Sequence, residues 1–117
     1  MHAYTRQNAL DDGNLVDVTN TAKDAGIVYP TALTRAVWSE YVEVPDGVEH
    51  QDETGRLWDV LFMFAVAAKK KKSASELLYQ LFIANDNSAP KEVTLKAICG
   101  PGDDPDPVIT IMLPDED

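Results

Sequence analysis

His50, Asp52 and Glu53 occupy one short polar stretch, with Arg56 and Asp59 just after it. An imidazole that titrates near neutrality beside carboxylates is the material of an acid–base pair, or of a cation site. In a compact ribonuclease- or toxin-like enzyme, His50, Asp52, Glu53 and Arg56 are the catalytic candidates. The same residue types have a plainer use. Asp52, Glu53 and Thr54 suit a helix start, where the side chains cap free amides and the dipole favours negative charge.

A second group is Asp103, Asp104 and Asp106, set in Gly100-Pro101-Gly102-Asp103-Asp104-Pro105-Asp106-Pro107. Three close carboxylates are hard-oxygen ligands for Ca²⁺ or Mg²⁺. The spacing is not that of an EF-hand, and the absence of lysine rules out a phosphate cradle. Glycines, prolines and aspartates also build rigid turns. A rigid loop is a place for partner contact, so Asp103, Asp104 and Asp106, together with Asp52 and Glu53, are the candidate partner-binding residues.

Other groups carry less chemistry. Lys69-Lys70-Lys71-Lys72 has no interleaved aromatics and complements a helix C-terminus. Cys99 as a nucleophile needs a base, and only His2 and His50 exist. No nucleophile elbow supports a serine hydrolase. Trp38 and Trp58, at helical spacing with apolar neighbours, read as core. Arg35 and Arg56 precede them and could pair with buried carboxylates such as Asp59, or stack on an indole. No cofactor motif occurs, and no cofactor is expected.

Twenty carboxylates against ten Lys and Arg give the 117 residues a net charge of −10. Such a surface repels nucleic-acid backbones and anionic lipid, and attracts basic proteins. One cysteine excludes an intrachain disulfide. The N-terminus lacks the apolar core of a signal peptide, and the longest apolar run, residues 60–68, falls short of the ~20 residues that span a bilayer. The expected setting is the reducing cytoplasm.

These groups need elements to hold them. Thr5 and Gly13 bracket a short helix. Leu15-Val16-Asp17-Val18 is short and β-branched, fit for an extra edge strand. Thr19 caps a two-turn helix closed by Gly26. Pro30 suits a first helical turn, and Leu33, Ala36, Val37, Trp38 and Tyr41 continue at helical spacing through residue 42. Residues 55–71 are apolar almost all round, the pattern of a central core helix. Strands follow at residues 77–84, 92–99 and 108–113. The expected fold is α+β, one domain over 1–117. Its helical N-terminal half packs on a C-terminal three-stranded antiparallel meander, and residues 114–117 form a disordered acidic tail.

Three stretches carry a resemblance: Tyr29-Pro-Thr-Ala-Leu-Thr-Arg-Ala-Val-Trp38, Gly55-Arg-Leu-Trp-Asp-Val-Leu61, and Val93-Thr-Leu-Lys-Ala-Ile-Cys-Gly-Pro-Gly-Asp-Asp104 running on to Val108-Ile-Thr-Ile-Met-Leu-Pro114. From about Tyr4 to Asp115 the chain resembles an uncharacterised family of small bacterial proteins carried on plasmids, integrative elements and phages. The resemblance implies an accessory role on a mobile element, such as maintenance, transfer or evasion of host defence, and brings no catalytic residue. Charge, motifs and resemblance together point to a non-enzymatic protein that binds a basic protein partner, in the manner of a DNA mimic. The alternatives are the small nuclease and a divalent-cation module.

Overall fold

Thr5 opens the first helix. In the computed structural model, which describes residues 3–117, α1 (Arg6–Asp12) begins with a reciprocal cap. Thr5 Oγ1 accepts from Asn8 N and Asn8 Oδ1 accepts from Thr5 N. Gly13 ends it with φ 82°, a left-handed conformation that glycine adopts without a Cβ clash. β1 (Leu15–Asp17) and α2 (Thr19–Asp24) follow.

The expected continuation does not occur. Thr31–Thr34 is not the start of a helix but a strand, β2. The helix begins only at Arg35, as α3 (Arg35–Val37), with Thr34 Oγ1 accepting from Val37 N. A π-type turn, Trp38–Val42, extends it. Pro30 therefore leads into a strand, and its carbonyl accepts from Ile109 N (2.9 Å). The helical spacing holds only from Ala36 onward. All four β2 residues are buried, so no alternation marks them as a strand.

α4 (Glu53–Lys70) is followed by β3 (Glu76–Ile83), β4 (Lys91–Pro101) and β5 (Pro107–Met112). The sheet has five strands in the order β1-β2-β5-β4-β3, and β2 runs parallel to β5 while the other pairs are antiparallel. This corrects the expected architecture. The fold is α+β, but the last three strands are joined by two early ones into a mixed sheet, and the first half is not simply helical. A parallel pair needs a long crossover, which here contains α3, α4, β3 and β4.

α4 lays Leu57, Val60, Leu61 and Phe64 on one sheet face, against Leu77, Tyr79, Leu81, Leu95 and Ile111. It is not apolar all round in its setting. Trp58 (38 % exposed) and Phe62 (45 %) point outward and stack with centroids 5.7 Å apart. Trp58 is therefore not core, while Trp38 is half-buried. Tyr79 donates its hydroxyl to Val60 O (2.9 Å), which satisfies it, and burial pushes its pKa up. α1 serves the opposite face, where Arg6 Nη1 donates to Thr110 Oγ1 (2.6 Å) and Nη2 to Ile109 O (3.0 Å). At the C-terminus, Glu116 Oε1 accepts from Thr34 Oγ1 and from Leu113 N, and Lys96 Nζ donates to Glu116 O.

Candidate functional site

Asp52 is the N-cap of α4, and its Oδ1 accepts from Gly55 N (2.6 Å). A Cβ on Gly55 would sit 3.1 Å from that oxygen, so the tight cap favours glycine. Glu53 begins the helix and is exposed. Arg56, one turn on, points inward and is only 5 % exposed.

Arg56 spreads its guanidinium over three segments. Nε donates to Val42 O (3.2 Å). Nη1 donates to Gln51 Oε1 and to Ala84 O, both at 2.9 Å. Nη2 donates to Asn85 Oδ1 (2.6 Å) and, at 3.5 Å, weakly to Glu40 O. No partner is a carboxylate; Asp59 lies exposed nearby. Burial pulls the Arg56 pKa down from its ordinary value, but a guanidinium stays charged at neutral pH. With its donors engaged, Arg56 is a clasp that joins the π-type turn, the stretch before α4 and the end of β3.

The clasp forms the floor of a groove of about 530 Å³. Glu49, His50 and Gln51 make one wall; Asp86, Asn87, Ser88 and Pro90 make the other; Phe82 and Asp59 close the sides. The two loops are tied across the groove. Asn87 Oδ1 accepts from Glu49 N (2.9 Å), Asn87 Nδ2 donates to Gly47 O (2.8 Å), and Gln51 Nε2 donates to Ala84 O (2.9 Å). Asp86 accepts from Ser88 Oγ and from Ser88 N. Those bonds, with a smaller pull from Lys91, hold its carboxyl below the usual range.

Three carboxylates, Glu49, Asp59 and Asp86, thus rim a groove whose one cation, Arg56, is turned inward. Among the described residues, no lysine or arginine side chain comes within 4.0 Å of a carboxylate, and the one such approach of a histidine is His50 Nε2 to Glu49, at 3.9 Å. Both side chains there are largely exposed. His50 is also the one described non-glycine residue with positive φ, 63°, a conformation histidine tolerates better than most. A groove with an anionic rim and the Phe82 ring as an apolar wall fits a lysine or arginine side chain, stem against the ring and head among the carboxylates.

The Asp86 turn gives a pH prediction. A depressed folded pKa contributes stability that is present above the unfolded carboxyl pKa and is lost as pH falls through the folded value. Replacing Ser88 by alanine removes the side-chain bond. Carbonyl-carbon NMR titration is then expected to show the Asp86 midpoint moved up toward the ordinary range.

The aspartate loop is not part of this groove. Asp103 Oδ1 accepts from Arg6 N (2.7 Å) and Oδ2 from Gln7 N (3.0 Å), so it caps α1 from the loop between β4 and β5. Asp104 Oδ1 accepts from Asp106 N (2.9 Å), a local turn. Among the described residues, no three His, Cys, Asp or Glu side chains are grouped to hold a metal ion. Asp103→Ala is expected to cost about 1 kcal/mol, the usual worth of a cap, and to lower Tm by roughly 4 °C in a thermal melt. Cys99 and His50 line different cavities, and His2 lies outside the described residues.

Sequence reading missed Phe82, Asp86 and Asn87 as site residues. The run Asn85-Asp86-Asn87-Ser88 is legible as a loop, but nothing in the chain's pattern says which other loop it faces.

Over residues 1–117 the chain matches the model of a family described as a family of unknown function (DUF6573), and it belongs to that family. No curated protein and no solved structure matches it.

Proposed function

We propose that this member of a family without assigned activity is a non-enzymatic interaction protein that seats a basic segment of a protein partner in the groove over Arg56. The observation that carries the reading is the rim of Glu49, Asp59 and Asp86, exposed and, among the described residues, with no lysine or arginine side chain within 4.0 Å, beside Phe82. Every aspartate and glutamate of the chain is exposed except Glu116, which is half-buried. Their field steers a cationic partner toward the groove and turns nucleic-acid phosphates away. Asp52 borders the adjoining depression, which shares His50, Arg56 and Asp59 with the groove, and extends the acidic track.

No helix among the described residues is long and apolar enough to cross a membrane. The resemblance to mobile-element proteins and the lone thiol favour an accessory role in the cytoplasm. In that role the acidic surface occupies the basic face of a host nucleic-acid-binding protein, as a DNA decoy would.

The test is a titration with an arginine-rich peptide at low and high salt, with a glutamate-rich peptide as control. Binding of the basic peptide alone, weakening steeply as salt rises, supports the reading. No binding at low salt overturns it.

A further inference from the structure

We propose a second site, independent of the acidic groove: a pocket for a small amphipathic carboxylate at the C-terminal end of α4. A cavity of about 260 Å³ lies between that end of the helix, the inner face of the sheet and the loop after α2.

The cavity arises from side-chain size. α4 presents Ala65 and Ala68 to it, and β4 presents Ala97. Larger residues at these positions would meet and close the space, as the fully buried Leu61 does one turn nearer the start of α4. The walls are mostly apolar, with Ile109 and Leu77 among them. Beside the mouth, Val28 is 79 % exposed and Tyr29 41 %, an apolar lip facing water.

The mouth decides the ligand. Lys69, Lys71 and Lys72 line it, and no aspartate or glutamate does. On a chain of net charge −10, this is where cations gather. The negative end of α4 accounts for lysines in the last turn, but α4 ends at Lys70. Lys71 and Lys72 lie past it, on the rim of the apolar space. An apolar interior under an ammonium rim complements a molecule with a hydrocarbon body and one anionic head. At ~30 Å³ per methylene-sized group, the volume of a liquid water, the body holds roughly eight or nine carbons. Phosphate-rich ligands lack the apolar part, and cations meet the wrong charge.

Cys99, half-buried on the cavity wall, supplies a reporter. The rate of its modification by a disulfide reagent is measured with decanoate below its micellar concentration, and with decanol. Decanoate is expected to slow the reaction, with an apparent affinity about tenfold above that of decanol. Replacing Lys69, Lys71 and Lys72 together by glutamine is expected to erase that difference. Ala68→Leu, which fills the space, is expected to abolish protection by both; Ala65→Leu is the second filling variant should the first fail to fold. Protection that survives filling, equal protection by decanoate and decanol in the unaltered protein, or no protection at millimolar decanoate overturns the proposal.

Discussion

Arg56→Ala is expected to destabilise the protein by about 3 kcal/mol, the largest loss predicted here for a single substitution away from the apolar core. The guanidinium bonds Val42 O, Ala84 O, Gln51 and Asn85. Removing it leaves carbonyls facing a void in the first turn of α4. Each unsatisfied buried acceptor costs about 1–3 kcal/mol, and water entering from the groove recovers part of that. In a domain of this size the loss corresponds to a Tm drop of roughly 10 °C. Arg56→Lys is expected to recover little, because one ammonium cannot span acceptors arranged for a planar fork. Urea unfolding measures the loss. Hydrogen exchange locates it: the amides of residues 84–89 and 47–51 are expected to lose protection before those of β5.

The second large effect concerns binding. Glu49→Lys with Asp59→Lys is expected to weaken capture of a basic peptide at least ~100-fold. Close charge pairs at interfaces couple by about 1.5 kcal/mol or more each, and two such losses approach 3 kcal/mol, which is two decades of Kd. Neither side chain holds the fold. The Glu49 carboxylate approaches His50 at 3.9 Å, and its tie to Asn87 is through the main-chain N–H, which lysine keeps; Asp59 is exposed, and the Asp86–Ser88 turn is left intact. The control, Asp24→Lys with Asp115→Lys, changes the net charge equally at exposed sites outside the groove. A few-fold loss is expected there, from weaker long-range steering alone. Calorimetry on both variants measures the contrast.

Legibility in the sequence followed locality. The cap at Thr5 and the left-handed Gly13 were plain, because both act within one turn of helix. The last three strands were found within two residues at most boundaries, because β3 and β4 alternate. β2 was lost because Thr31, Ala32, Leu33 and Thr34 are all buried between two neighbouring strands, so hydropathy has no period there. Its parallel pairing with β5 joins residues nearly eighty positions apart, which no local pattern records. Trp58 looked like core by type and spacing, but the sheet takes the neighbouring stripe of α4 and leaves it to stack on Phe62.

The site divides in the same way. His50, Asp52 and Glu53 were visible as a polar stretch before a helix, and Asp52 as a cap. Arg56 was visible as a charge but not as a clasp, since its partners are main-chain carbonyls and amide side chains of ordinary loops. Asp103 reads as a possible ligand in the sequence, and in the fold its oxygens accept from Arg6 N and Gln7 N, across most of the chain's length.

The central claim, that a cationic segment lodges over Arg56, is tested most directly by amide chemical-shift mapping during titration with an arginine-rich peptide. The account predicts that the largest shifts cluster at Glu49, Gln51, Asp59, Phe82 and Asp86–Ser88, and that they vanish in the Glu49→Lys, Asp59→Lys variant. Shifts centred on residues 102–106, or spread evenly over the exposed carboxylates with none favoured at the groove, would contradict it.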